Sequence, residues 1–139
     1  YVDEAAYVTS YRIPLSLKSI RITDADKIGI LSISNLTSVT AIVIDPGVTE
    51  IGDLAFHNDS ALTSITLPDT ITAIGVSAFR SCGNLKDIFL HDSVASIGKD
   101  AFHGCYSITI NAEAATQPEG WDPDWNPGGF TVNWGALSE

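Results

Sequence analysis

The chain has 139 residues, which suffice for one domain with a continuous core, and its 45% hydrophobic content excludes a disordered chain. Seventeen acidic residues against seven basic ones give a formal net charge of −10, so nucleic acids and anionic membrane surfaces are not expected as partners. An uncharged stretch, residues 28–44, is rich in serine and threonine and shorter than the roughly 20 apolar residues of a membrane span, so no membrane insertion is expected.

Residues 1–16 show no clear repeat, and we expect them to form a partial repeat or an N-terminal cap. From residue 17 to residue 110 the sequence repeats itself every 23 residues, most clearly between residues 48 and 105. A fixed period of this kind is typical of a solenoid, in which each repeat contacts only its neighbours. The clearest columns of the repeat are Ile51, Ile74 and Ile97; Gly52, Gly75 and Gly98; Ala55, Ala78 and Ala101; and Phe56, Phe79 and Phe102.

Each repeat contains one strand followed by one turn. In LTSITL, residues 62–67, Ile65 and Leu67 are two positions apart, so a strand directs both side chains to one face. Residues 53–59, DLAFHND, predict a short helical or irregular turn that buries Phe56. One repeat cannot bury its apolar side chains alone, whereas repeats stacked at a strand spacing of about 4.8 Å bury them against each other.

The pattern I-G-x-x-A-F-x-x-C-x-x-L-x-x-I-x-L, which begins at Ile74, resembles the BspA-like leucine-rich repeats of bacterial surface proteins. The resemblance covers most of the chain, although Asp59 replaces the cysteine found at Cys82 and Cys105. We therefore predict an α/β fold, a right-handed leucine-rich-repeat solenoid of ~23-residue repeats. It has a parallel β-sheet on one face and short helical or irregular turns on the other.

Cys82 and Cys105 are one period apart, which places them on adjacent repeats at about 5 Å, inside the Cα range of a disulfide. Parallel stacking points both side chains in the same direction, which disfavours the disulfide torsion. We therefore expect buried free thiols that pack as small apolar groups, with a disulfide as the alternative.

Two sets of side chains resemble metal ligands, but neither predicts a site. His57 and His103 share a column two repeats apart, or about 10 Å, which is too far to share one zinc ion. Asp122, Asp124 and Asn126 resemble the start of a calcium loop, but the glycine required at the sixth position is missing. Turn formation is favoured over calcium binding there, and no metal or cofactor is predicted.

The period ends after Ile110, and residues 111–139 are expected to form a C-terminal cap that completes a single domain of residues 1–139. Such a cap covers the apolar end and the open strand edge of a solenoid. FTVNWG, residues 130–135, predicts a final strand. The alternative for the tryptophans is that exposed indoles stack on sugars. The large aromatic residues of this segment are Trp121, Trp125, Phe130 and Trp134.

The outward face of the predicted sheet is the expected ligand-binding surface. Most of its side chains are small and polar, whereas Phe89 is an outward aromatic residue that suits a contact anchor. The alternative is that Phe89 shields the sheet against Thr66 or the cap. The candidate binding residues are Phe89, Asp87, His91, Thr66, Ser64, Val43 and Arg21.

The resemblance implies a non-catalytic interaction or adhesion module of a bacterial cell-surface or secreted protein, and we expect the chain to be part of something larger. It also implies a protein partner, including proteins of the host extracellular matrix, and an extracellular or cell-surface location. The alternatives are a carbohydrate-binding module and a passive structural spacer. An enzyme is not predicted, because the sequence contains no nucleophile, metal or phosphate-binding motif.

Overall fold

Ten short strands make up the regular structure of residues 16–138, the part of the chain that the computed structural model describes. The partial repeat or cap expected for residues 1–16 therefore lies, apart from Ser16, outside the described residues. In chain order the strands are β1 (Ser19–Ile22), β2 (Lys27–Ile28), β3 (Ala41–Ile44), β4 (Glu50–Ile51), β5 (Ser64–Thr66), β6 (Ala73–Ile74), β7 (Asp87–Leu90), β8 (Ser96–Ile97), β9 (Thr109–Ala112) and β10 (Val132–Trp134).

The strands form two parallel sheets along the same solenoid. The larger sheet has six strands in the order β1-β3-β5-β7-β9-β10, and the smaller has four in the order β2-β4-β6-β8. Ile42 pairs with Ile65 in the first sheet, and Ile51 pairs with Ile74 in the second, so a partner lies one period further along the chain. The predicted parallel solenoid is confirmed, whereas the second sheet was not predicted.

The core is a set of vertical columns in which equivalent side chains of successive coils stack. The rings of Phe56 and Phe79 are 5.2 Å apart between centroids, and those of Phe79 and Phe102 are 5.3 Å apart. All three side chains are fully buried. Burial of one such side chain is worth about 1.5–3 kcal/mol, so stacking of the coils dominates the stability of the fold.

The third side of each coil is not helical, so the predicted α/β class and the helical alternative for the turns are wrong. No helix, and therefore none long enough to cross a bilayer, occurs within residues 16–138. Leu54 and Asn58 have φ angles of 56° and 58°, in the left-handed region. The N–H groups of Leu54, Phe56 and Asn58 donate at 2.8–3.0 Å to carbonyls 22 positions later, on the next coil. Because these donors bond to the next coil, they cannot bond within an α-helix.

The C-terminal segment closes the last coil. β10 pairs with β9 in parallel, which confirms the predicted final strand, and Trp121 forms a parallel bridge to Ile97 that continues the second sheet. Trp121 and Trp125 are each only 3% exposed, and Trp125 packs its ring against Phe102 at 5.9 Å. Trp134 remains 37% exposed, so the cap buries two of its three indoles.

Candidate functional site

The candidate site is a concave region of about 550 Å³ on the outer face of the six-stranded sheet. It lies where β5 and β7 diverge. These two strands are paired only at Ser64 and Asp87, whereas β7 and β9 are paired at four successive residues. Beyond Asp87 the two strands have no further register pair, and Thr66 and Phe89 line the opening.

His91 bridges this opening through its side chain. At the equivalent step of other coils, the carbonyls of Ile22 and Leu90 accept backbone N–H bonds from Asp45 and Glu113, at 3.0 and 2.9 Å. The carbonyl of Leu67 instead lies 3.2 Å from Nε2 of the His91 imidazole. Since a carbonyl only accepts hydrogen bonds, Nε2 carries the hydrogen in this contact. The imidazole thus satisfies an acceptor that the diverging strands leave open.

Aromatic and aliphatic side chains form the apolar part of the site. The ring of Phe89 is half-buried and packs edge-to-face against His91, with centroids 4.8 Å apart. Gly135, with a φ of 70°, turns the chain out of β10, and Ala136 then donates its N–H to Ala112 at 2.9 Å. Residues 136–138 consequently form one wall, in which Leu137 is 89% exposed.

Four of the seven predicted residues line the concave site: Phe89, Asp87, His91 and Thr66. The other three, Ser64, Val43 and Arg21, lie on the same face but outside the lining. Ser64 is the register partner of Asp87, and Val43 and Arg21 lie on β3 and β1. Nε of Arg21 forms an ion pair of 2.8 Å with Asp45.

The charge of the site is negative. Asp87 is exposed and makes no ion pair within residues 16–138, and no lysine or arginine belongs to the lining. Nδ1 of His91 lies 3.6 Å from Oε2 of Glu113, and that oxygen also accepts the N–H of Asp92 at 2.9 Å. The carboxylate of Asp87 is therefore the charged group available to a ligand.

The buried cysteine column has no geometry for catalysis. Cys82 and Cys105 are buried and unbridged, as predicted, and their thiols donate to the carbonyls of Phe56 and Phe79 at 3.0 Å. The hydrogen bond with Cys105 and burial both raise the pKa of the Cys82 thiol. A protonated thiol without access to solvent is not a nucleophile.

The residues considered as metal ligands serve other roles. Asp122 accepts the N–H of Asp124 at 2.8 Å, and Asn126 exchanges hydrogen bonds with the backbone of Phe130, so these side chains form turns. His103 lies 4.0 Å from Asp100 on a solvated face. Across residues 16–138 there is no group of three histidine, cysteine, aspartate or glutamate side chains that could hold a metal ion.

Comparison with known protein families agrees with this geometry. A family model described as the BspA type leucine-rich repeat region matches residues 9–117 in six copies. The chain belongs to the BspA-type leucine-rich repeat family. The match covers the first five strands of the six-stranded sheet, β1, β3, β5, β7 and β9, so the concave site lies in the last BspA-type repeats and the segment that follows them. A comparison with curated proteins finds no match.

Two solved structures resemble this BspA-type domain. A leucine-rich-repeat protein of T. pallidum is 28% identical, with a TM-score of 0.50, over 61% of this chain and 51% of its own. A leucine-rich cell-surface protein of Faecalibacterium prausnitzii is 20% identical, with a TM-score of 0.51, over 92% of this chain and 38% of its own. The chain thus spans about half the length of the first protein and less of the second.

Proposed function

We propose that this domain is a non-catalytic protein-interaction module that binds its partner through the concave site on the six-stranded sheet. The observation that carries the proposal is the position of Phe89, a half-buried aromatic ring in the lining of the concave site of about 550 Å³. Aromatic residues at the centre of a depression are typical energetic anchors of protein interfaces. The rest of the sheet face presents small or already paired side chains, such as Ser64 and Arg21.

We also propose a role in adhesion at a bacterial surface, which the family membership and one structural neighbour support. The neighbour from Faecalibacterium prausnitzii is a cell-surface protein, although its 20% identity establishes only a common fold. We place the module on a cell-surface or secreted protein, with host extracellular-matrix proteins as its proposed partners. A solenoid suits this task because it presents an extended, regular sheet to a large partner.

Replacement of Phe89 tests the proposal. In a binding screen against extracellular-matrix proteins, we expect Phe89→Ala to weaken the selected interaction by about thirtyfold or more, since anchor residues contribute about 2 kcal/mol or more. Val43→Ala is the matched control, because Val43 also faces outward, on β3, but does not line the site.

The two variants should both retain the thermal stability of the parent. An unchanged affinity of Phe89→Ala would remove the concave site from the interface. Failure of every matrix protein to bind would favour the passive spacer.

Carbohydrate binding is the weaker alternative. Trp121 and Trp125 are buried, and their indole N–H groups donate to Val94 and Gln117 within the cap, so only Trp134 retains an accessible ring. A glycan array carried out with the same protein separates the two functions.

A further inference from the structure

We propose, as an extension of the protein-binding function above, that the concave site binds an arginine side chain of the partner protein. The inference rests on a negative charge, an aromatic ring and an aliphatic wall that meet in one depression. Each feature selects for a different part of an arginine side chain.

The charge of the site selects for a cation. Asp87 stands exposed in the lining without an ion-pair partner in the described part of the chain, and Glu113 lies behind His91. The chain as a whole carries a net charge of −10, which attracts basic partners and repels acidic ones before contact. A ligand carboxylate or phosphate would therefore be disfavoured at this position.

The apolar lining selects for the shape of arginine. A guanidinium group is planar and weakly hydrated, and it stacks on aromatic faces more readily than an ammonium group does. Phe89 supplies the aromatic ring, and Asp87 lies two residues before it on the same strand and faces the same side. The exposed Leu137 supplies aliphatic surface for the methylene stem of the side chain.

The polar groups of the rim complete the match. Oδ1 of Asn111 accepts a hydrogen bond from Asn133 at 2.9 Å, whereas Thr66 and Ser138 are exposed, hydroxyl-bearing residues of the lining. Hydroxyl oxygens can accept the guanidinium N–H groups that do not reach Asp87. The site thus provides acceptors around a cation.

The test is an NMR titration of the whole chain with two short peptides. One is acetyl-Gly-Arg-Gly-amide, and the other replaces arginine with citrulline, which has nearly the same shape but no charge. We expect saturable shifts of the amide signals of Asp87, Phe89 and Asn111 with the arginine peptide, and a dissociation constant about fivefold larger for the citrulline peptide.

Variants establish that the effect belongs to this site. Asp87→Asn and Phe89→Leu should each weaken the arginine peptide by about threefold to fivefold. Asp26→Asn removes an exposed carboxylate on the first described coil and should leave binding unchanged. Equal binding of the two peptides would overturn the inference, and so would signal shifts spread over all acidic residues. A methyl glycoside titrated in the same way would also overturn it if the signals of this site shifted more than they do with the arginine peptide.

The outcomes separate this inference from the function on which it rests. If a matrix protein binds in a manner that depends on Phe89 while the peptides are not distinguished, the arginine specificity is wrong and the interaction site stands. If the arginine peptide binds as expected but no protein does, the chemistry of the site stands and the proposed function fails.

Discussion

Asp59 occupies a position that the next two coils give to buried cysteines, Cys82 and Cys105. Its side chain is fully buried, with Oδ1 accepting the N–H of Leu36 at 2.8 Å and Oδ2 without a hydrogen-bond partner. Burial raises the pKa of Asp59 to about 8, although the hydrogen bond from Leu36 acts in the opposite direction. The neutral acid is therefore the form that the fold accommodates at neutral pH and below.

The stability of the domain should consequently fall as the pH rises. In the unfolded chain Asp59 loses its proton near its ordinary pKa of 3.8, whereas in the folded chain it keeps the proton up to about 8. The folded state binds more protons between these values, so the free energy of unfolding declines across this window and is greatest below it. At about 1.4 kcal/mol per pKa unit, the total loss reaches at most about 6 kcal/mol.

We predict that Asp59→Asn removes most of this decline. The amide is neutral at every pH and keeps an oxygen for the N–H of Leu36, so the melting temperature at pH 8 should rise by about 5 °C or more. Near pH 4 the melting temperatures of variant and parent should be close. Thermal unfolding followed by circular dichroism across pH 4–8 measures both.

Asp26→Asn is the control for this prediction, because Asp26 is an exposed aspartate and should not alter the pH dependence. A gain in stability that is the same at pH 4 and pH 8 would show that Asp59 is ionised in the folded state.

At the scale of the structural elements, the glycine column sets how closely two coils approach. A Cβ atom built on Gly75 would lie 2.5 Å from the backbone nitrogen of Asp53 and 2.6 Å from the carbonyl carbon of Gly52, both on the preceding coil. Gly98 meets Val76 in the same way, at 2.5 Å. The contacting atoms belong to the backbone, so they cannot move without displacing a coil.

We predict that Gly75→Ala destabilises the domain by about 1–3 kcal/mol, the usual range for overpacking of a closed interior. Gly83→Ala is the matched control in the same coil. Its Cβ would meet only the carbonyl oxygen of Gly104, at an ordinary distance of 3.7 Å. Urea unfolding of the two variants measures the difference, and equal stabilities would mean that the coils are less closely stacked than the structure shows.

The strands of the first sheet were predictable because they bury alternate residues, and this pattern is visible in the sequence. In β3, for example, Ile42 and Ile44 are buried and Val43 is exposed. The strands of the second sheet contain two residues each, such as Glu50–Ile51, which is too short for any alternation. Their isoleucines were correctly assigned to the core, but pairing between coils could not be inferred from a single buried position.

The helical alternative for the turns was wrong, and the sequence left it open because the residue spacing does not distinguish a helical turn from the observed conformation. Ala55 and Phe56 are buried in the observed turn, and a helical turn would bury them as well. The observed turn differs from a helical turn in having residues with left-handed backbone angles, such as Leu54 at a φ of 56°. A leucine gives no sequence signal for that conformation. The observed turn is stabilised by tertiary contacts, because its backbone N–H groups donate hydrogen bonds to carbonyl groups of the next coil.

The candidate site was partly predictable, because the alternation of buried and exposed residues in the strands is visible in the sequence. The strand pattern placed Phe89, Asp87 and Thr66 on the outer face, and His91 was expected at the rim. Asn111 was missed because β7 and β9 pair with an offset of 22 residues, one less than the period. The wall formed by residues 136–138 depends on how the chain turns after β10, and no repeat position carries that information.

At the scale of the whole molecule, the domain is a one-dimensional stack. Each strand of the six-stranded sheet pairs only with its neighbours in the order β1-β3-β5-β7-β9-β10, and the phenylalanine rings follow the same succession. The stability of such a stack is approximately a sum over coils and over interfaces between adjacent coils. A complete coil can therefore be removed if the remaining columns stay in phase.

We predict that deletion of residues 57–79, one full period, leaves a shorter folded solenoid. The deletion joins Phe56 to Arg80, which occupies the column of His57, and it removes β5 and β6 so that β3 meets β7. At about 0.05–0.15 kcal/mol per residue, the loss of 23 residues should lower the free energy of unfolding by about 1–3 kcal/mol. Circular dichroism and size-exclusion chromatography should show one cooperative transition and a monodisperse, smaller particle.

Deletion of residues 57–67 is the decisive control, because it removes fewer residues but shifts every later column by about half a period. That variant should fail to unfold cooperatively, since polar turn residues would be forced into the phenylalanine and isoleucine columns. Equal behaviour of the two deletions would contradict the stacked architecture. The variant that lacks residues 57–79 also lacks Asp59. Its free energy of unfolding should therefore vary much less between pH 4 and pH 8 than that of the parent, because the buried carboxyl group that causes the pH dependence has been removed with its coil.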